Sequence, residues 1–346
     1  MRVLVTGHNG YIGTVMVPML LEAGHEVVGL DSNLFADCSY SEEGISSIPE
    51  IVKDVRDVTR SDLAGFEAFI DLANLSNDPL GNLNPDLTYD INHHGSVRLA
   101  ELSREAGVER FLFSSSCSLY GAAGQDAVTE TAPFNPVTPY GKAKVLAEQD
   151  IAKLATPDFS PTYFRNATAY GVSSRFRFDL VLNNLVAWAV TTGKILIKSD
   201  GSPWRPIVHI RDISLAFIAA LDVDRSVIHN EAYNVGRSEE NYQIRDIARL
   251  VEEVVPGCEV TFADGASPDK RSYQVDFSKI QAAIPGYRPT WTARKGVEEV
   301  YATLRDSGLS PDEFEGPRYR RIDHIREMLA SGELQDDLRW SPAHTL

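Results

Sequence analysis

Seven residues near the start of the chain constrain its fold more than any other stretch: Gly7-His8-Asn9-Gly10-Tyr11-Ile12-Gly13, three glycines at a regular spacing. Before them, Arg2 to Thr6 is an apolar run that reads as a buried parallel strand; after them, Thr14 to Ala23 has the apolar spacing of a helix. Strand, glycine turn and helix in that order make a turn tight enough to bring a diphosphate against the helix N-terminus, where backbone N–H groups point at it. A second strand, Glu26 to Leu30, ends in Asp31, about 20 residues on from the turn. An acid there accepts from the hydroxyls of an adenosine ribose and repels a ribose phosphate. Gly29-Leu30-Asp31-Ser32-Asn33 holds no arginine, so NAD is the expected dinucleotide. Its contacts are expected at Gly7, Asn9, Gly10, Tyr11, Ile12, Gly13, Asp31 and Asn33.

The alternation continues. A third strand, Glu50 to Val52, leads to Asp54-Val55-Arg56-Asp57. There Asp54 is placed to accept from the adenine amine and Val55 to lie on the ring face; a solvated turn with a helix cap is the other reading of Asp54 and Asp57. A fourth strand, Phe69 to Leu72, opens into Ala73-Asn74-Leu75-Ser76-Asn77-Asp78-Pro79 at the carboxyl end of the sheet, where such sheets place ligands. Leu72, Ala73 and Asn74 are expected beside the cofactor and Ser76 beside a substrate. Helical periodicity over Tyr89 to Glu105, a strand from Arg110 and a helix from Pro139 to Leu154 complete an α/β pattern. The expected fold is a Rossmann-type parallel sheet with helices on both faces and a smaller C-terminal substrate-binding lobe. Residues 1–180 are expected to be mainly dinucleotide-binding. Residues 181–313 are expected to be mainly the substrate lobe, with segments near 205–236 returning to the sheet. Residues 314–346 form a helical tail that either covers the first domain or makes a subunit contact.

Two segments carry the chemistry: Ser114-Ser115-Ser116-Cys117-Ser118-Leu119-Tyr120-Gly121 and Thr138-Pro139-Tyr140-Gly141-Lys142-Ala143-Lys144. One helical turn puts Tyr140 and Lys144 on the same face. A phenol ordinarily loses its proton near pH 10, and a cation beside it favours the phenolate. Such a tyrosine can take a proton from an alcohol while a nicotinamide takes the hydride. With the dinucleotide turn upstream, the pair proposes redox chemistry at an alcohol carbon.

Composition narrows the partners. The formal charge is −16 over 346 residues, which disfavours nucleic acid and anionic membranes but not a small anion held by local arginines. No apolar run approaches a membrane span. The opening residues run straight into a strand with no room for a signal peptide, so a cytoplasmic protein is expected. Cys38, Cys117 and Cys258 lie far apart without metal-ligand spacing, and no metal site is expected.

Taken together, the glycine motif, Asp31, Asp54-Val55, Asn92-x-x-Gly95, Ser116 ahead of Tyr120-Gly121 and Tyr140-x-x-x-Lys144 resemble the extended short-chain dehydrogenase/reductases, in their NAD-dependent nucleotide-sugar epimerase and dehydratase branch. The resemblance spans nearly the whole chain. It implies that Ser116 binds the sugar hydroxyl, Tyr140 is the acid or base, and Lys144 holds the nicotinamide ribose while lowering the tyrosine pKa. It adds Asn92, Ser114 and Ala167 to the cofactor contacts. It places Cys117, Ser118 and Asn166 near the substrate, with Asn184, Arg205 and Arg271 on the substrate diphosphate. The 4,6-dehydratases of this family carry Asp-Glu immediately after the serine or threonine; Cys117 and Ser118 stand there instead. The implied activity is therefore 4-epimerisation of a nucleotide-diphosphate sugar through a transient 4-keto sugar. A ketoreductase or dehydrogenase using the same three residues is the alternative; a dehydratase and a non-catalytic NAD-binding protein are further from the pattern. In the family the helices at 89–105 and 139–154 often join two subunits, which implies a homodimer.

Overall fold

The structure, a computed structural model, describes residues 1–42, 45–76, 84–267 and 271–342. Glu43 in the stretch after the second strand, Asn77-Asp78-Pro79, Pro268 to Lys270 and the last four residues of the tail lie outside the described residues.

Numbered along the chain, the strands are β1 Arg2–Thr6, β2 Glu26–Asp31, β3 Glu50–Val52, β4 Ala68–Asp71, β5 Arg110–Ser116, β6 Ala122–Val128, β7 Ser160–Asn166, β8 Thr168–Tyr170, β9 Lys194–Ser199, β10 Trp204–His209, β11 Glu231–Val235, β12 Asn241–Gln243, β13 Glu259–Ser267 and β14 Ser272–Val275. Seven of them form a parallel sheet in the order β11-β7-β5-β4-β1-β2-β3. The order turns back beside β1, so the chain leaves β1 and β4 in opposite directions and a crevice opens at their carboxyl ends.

Both faces of this sheet are covered, which is why its strands are continuously apolar. Successive residues point to opposite faces. Val3, Val5 and Ile70 pack with Met16 and Leu20 of the helix Gly13–Glu22 and with Phe217 of the helix Ile210–Asp222. Leu4, Phe69, Phe111 and Phe113 pack on the other face with Leu99, Ala147 and Ile151. The helical run predicted over 89–105 starts at Pro85 and contains a π turn, Asp90–Gly95, before Ser96–Glu105.

A second lobe stands at the carboxyl end of the sheet. It contains the sheet β12-β10-β8 and the pairs β13-β9 and β14-β6. The helices Val181–Thr192, Ile244–Val254 and Ala293–Leu304 bury Leu182, Val186, Ile247, Val251, Val297 and Val300 in its core. Within 205–236, β11 lies at the edge of the parallel sheet beside β7, whereas β10 pairs with β8 and β12.

Of the two readings of the tail, the structure shows the first. Its helix Arg321–Ser331 and the residues after it bury Ile322, Ile325, Met328, Leu334 and Leu338 against Leu30, Val55 and the rest of that face's core. Among the described residues no helix is long and apolar enough to cross a membrane, and no group of three or more His, Cys, Asp or Glu is placed to hold a metal ion.

Candidate active site

A cavity of about 910 Å³ runs from the β1 turn into the second lobe. The glycine turn forms one end. Gly7 has φ +66, and a Cβ there would meet the backbone of Ala73 at 3.0 Å; a Cβ on Gly13 would fall on the carbonyl oxygens of Gly7 and His8. Bare backbone is therefore needed at both for the turn to close against the β4 loop and the helix start. Thr6 ties these parts together. Its hydroxyl donates to Asp71 Oδ1 at 2.8 Å and accepts from the N–H groups of Leu72 and Ala73 at 3.1 and 3.3 Å.

Asp31 ends β2 at the cavity wall, its carboxylate accepting from the N–H of Asn9 at 3.2 Å and of Asn33 at 2.9 Å. Burial raises its pKa, against the pull of those two N–H groups. Asn9 and Asn33 are not among the lining residues; they hold each other side chain to side chain at 2.8 Å and steady Asp31. Asp54 and Val55 line the cavity. Asp54 also caps the turn that follows it, accepting from Arg56 N at 2.8 Å and pairing with the Arg56 guanidinium at 2.7 Å.

The reacting end is built by β5 and the helix Pro139–Ala152. Ser116 closes β5 and caps the following turn, accepting from Ser118 N at 3.1 Å. Thr138 caps the helix by accepting from Gly141 N at 3.2 Å, and Pro139 occupies the first turn, where its missing N–H costs nothing. Tyr140 and Lys144 follow on one face, with the Lys144 ammonium 5.9 Å from the centre of the Tyr140 ring. That ammonium is buried and donates to the Ser114 carbonyl. Burial lowers its pKa to about 8, while Asp71 and Glu148 oppose the fall. Ser116, Tyr140 and Lys144 all face the same cavity as the glycine turn.

Several buried polar atoms of lining residues have no hydrogen-bond partner among the described residues: both amide atoms of Asn74, Ser118 Oγ, Asn166 Oδ1 and Arg321 Nη1. Buried polar groups are ordinarily paired, so these atoms are available to a ligand in the cavity. The glycine cradle at one end and these unpaired groups along the wall fit a dinucleotide.

Besides Asn9 and Asn33, two residues expected at the site lie outside the lining. Cys117 is completely buried with its thiol against the Arg165 carbonyl at 3.1 Å, and burial raises its pKa well above the ordinary thiol range. Cys117, expected near the substrate, lies outside the cavity lining: the turn after Ser116 places its side chain in the core. Asn92 is also fully buried outside the lining, held inward from the π turn. It accepts from Leu75 N at 2.8 Å and donates to Leu75 O at 3.1 Å, and so holds the β4 loop that lines the cavity. The remaining expected residues are in the lining: Gly10, Tyr11, Ile12, Leu72, Ala73, Asn74, Ser76, Ser114, Ser118, Asn166, Ala167, Asn184, Arg205 and Arg271. Tyr11 also anchors the opposite wall, its hydroxyl donating to Gly171 O at 2.7 Å. Arg205 donates to the Arg271 carbonyl, so the two arginines stand together at the second-lobe end. Asn184 donates to Phe178 O at 2.7 Å from the helix Val181–Thr192.

Sequence reasoning missed Arg177 and Arg321. Arg177 is buried at the cavity, bound to both oxygens of Asp179 and to Ser76 Oγ at 2.9 Å. The Arg-x-Asp spacing of Arg177 and Asp179 was its only local signal.

Residues 3–236 match the model of the Epimerase family, described as the NAD dependent epimerase/dehydratase family. The chain belongs to that family. Among its relatives, the UDP-glucose 4-epimerase of Bacillus subtilis (strain 168) is 30% identical, over 87% of this chain and 95% of the relative. The UDP-glucuronic acid decarboxylase 1 of Arabidopsis thaliana is 24% identical, over 91% of this chain and 72% of its own. Among solved structures, MoeE5 in complex with UDP-glucuronic acid and NAD superposes with a TM-score of 0.76 at 26% identity, over 88% of this chain and 99% of MoeE5. The family thus includes relatives of differing activity, and membership establishes an enzyme fold of the nucleotide-sugar type.

Proposed function

We propose that this chain is an NAD-dependent nucleotide-sugar 4-epimerase acting on a nucleotide-diphosphate hexose, UDP-hexoses first. The observation that carries the reading is the convergence of Ser116, Tyr140 and Lys144 on the cavity that holds the glycine turn, with Cys117 closed off from it. The relatives that act on or bind UDP-glucose support the nucleotide.

NAD held by the glycine turn, Asp31 and Lys144 would supply the hydride chemistry that inversion at C4 of the sugar requires. The chain's residues do the rest. Tyr140 takes the C4 hydroxyl proton and gives it back; Ser116 holds that hydroxyl in reach. The Lys144 ammonium favours the phenolate and supplies hydrogen bonds to the nicotinamide ribose. Arg205, Arg271 and Asn184 grip the diphosphate at the second-lobe end, leaving the hexose free to turn between the two transfers. Cys117 and Ser118, the two residues immediately after Ser116, are not carboxylic acids, which disfavours a 4,6-dehydratase. Protomers are inferred to pair through the helical runs at 85–105 and 139–152.

Incubation with UDP-glucose or UDP-galactose, with product identified by NMR, tests the assignment. Interconversion of the C4 epimers without net NADH formation is the expected result. Stoichiometric NADH formation would instead identify a dehydrogenase, and no turnover of any nucleotide sugar would overturn the reading.

A further inference from the structure

Arg321 opens the tail helix and is only 4% exposed, yet it is one of the residues lining the cavity. Nη1 has no hydrogen-bond partner among the described residues, and Nη2 makes a long bond, 3.4 Å, to the Arg175 carbonyl. The guanidinium lies 4.4 Å from the centre of the Phe35 ring, in the loop after β2.

Its charge is not balanced by the described residues around it. Burial lowers its pKa, which is the mark of a cation held without a compensating carboxylate. The neighbour acting on it most strongly is Cys38, whose thiol is within hydrogen-bond reach of the guanidinium; burial pushes that thiol up, so it stays neutral near pH 7 and supplies no balancing charge. Arg177 adds a second cation nearby and Asp179 one anion, and those two are bound to each other. One positive charge is left over at the cavity wall. A buried unpaired charge is costly, and an anionic ligand removes the cost.

The position selects the anion. Arg175, whose carbonyl Arg321 touches, reaches the Asn9 carbonyl of the glycine turn at 3.3 Å. Ser173 in the same segment donates to the Tyr11 carbonyl at 2.8 Å. Arg321 therefore belongs to the wall stapled to the glycine turn, whereas Arg205 and Arg271 stand together at the second-lobe end. Three more bonds fix the tail there: Trp340 Nε1 to Ser32 O at 2.6 Å, His324 Nε2 to Leu34 O at 3.0 Å, and Arg318 Nε to Ser39 O at 2.8 Å.

We propose that Arg321 is a cofactor-binding residue contributed by the C-terminal tail, its guanidinium neutralising the diphosphate of the dinucleotide at the glycine turn. This rests on the reading that the chain binds NAD. The turn offers N–H dipoles, and Arg321 supplies the full charge they lack.

The test is NAD retained per protomer after dialysis, with UDP affinity measured by calorimetry, on the full chain and on Arg321→Met and Arg321→Lys. The expected result is NAD affinity weakened about 10- to 100-fold in Arg321→Met, as for loss of a hydrogen bond to a charged group, with partial rescue in Arg321→Lys and UDP affinity within about threefold of wild type. Wild-type NAD retention in Arg321→Met overturns the proposal. So does loss of UDP affinity with NAD retained, which would move the residue to the sugar-nucleotide half. If Arg321→Met does not fold, Arg321→Lys decides alone: a folded lysine variant must bind NAD more weakly than wild type while holding UDP normally. Failure of the wild-type chain to bind NAD at all would instead overturn the functional reading beneath it.

Discussion

The Lys144 ammonium stands 4.3 Å above the ring of Phe113. Phe113 is the register partner of Asp71 on the neighbouring strand, so the cation and the buried carboxyl occupy one patch of the sheet. Asp71 raises the Lys144 pKa, but desolvation outweighs it and leaves the folded value near 8. The unfolded value is the ordinary 10.5. Between these pH values the unfolded chain holds a proton that the folded chain has lost, so this lysine's contribution to stability rises with pH there. A shift of this size is worth up to about 3 kcal/mol. The difference in urea unfolding free energy, wild type minus Lys144→Met, is expected to grow by that order between pH 8 and 10.5 in the ligand-free protein. A difference that stays flat with pH would mean that folding leaves the lysine pKa at its ordinary value.

Replacing the proton carrier separates chemistry from binding. Tyr140→Phe is expected to lower kcat by about 10²- to 10⁴-fold with bound NAD near one per protomer. Turnover by NMR and NAD released by acid are the two measurements, and undiminished turnover would remove Tyr140 from the mechanism.

Cys117 gives the opposite expectation. Its thiol meets the Arg165 carbonyl in the core. Cys117→Ala should leave kcat and KM for the nucleotide sugar within about twofold and cost on the order of 1 kcal/mol in stability. A large fall in kcat with a folded protein would return this thiol to the reaction.

The second-lobe arginines should act on one ligand only. Arg271→Ala is expected to weaken UDP binding about 10-fold or more by calorimetry, through loss of a charge-assisted contact, while NAD retention is unchanged. Equal UDP affinity in wild type and variant would reject the diphosphate role.

Below the site, Glu148 and Arg165 form a buried pair at 2.7 Å that also engages Ser115 Oγ at 2.5 Å and the Tyr120 hydroxyl at 3.0 Å. Glu148→Ala leaves the Arg165 charge buried without its carboxylate. Urea denaturation should show a loss of about 3–5 kcal/mol. A loss below about 1 kcal/mol would show that water or another group can replace the carboxylate.

Local pattern was enough for the parallel sheet, the glycine turn, Asp31 and the Ser116, Tyr140 and Lys144 positions, because each depends on strand order or helical spacing over a few residues. What escaped it depends on contacts far apart in the chain. Cys117 looks like a site residue from its neighbours, and only the turn at the end of β5 decides that it faces the core. Asn92 carries a family signature but acts through Leu75, a relation created by the π turn. Arg321 comes from a tail whose residues have no spacing tied to the glycine turn, so only tertiary packing reveals it. The pairing of β6 with β14 is invisible for the same reason.

The bonds from Trp340 to Ser32 and from His324 to Leu34 join residues of the first sixth of the chain to residues of its last tenth. Synthesis proceeds from the N-terminus, so the loop after β2 is made 290 to 308 residues ahead of these partners. Until the tail helix is made, this face of the sheet lacks the packing of Ile322, Ile325 and Met328. The segment from Arg318 to Trp340 thus acts as a seal on a part of the sheet made long before it.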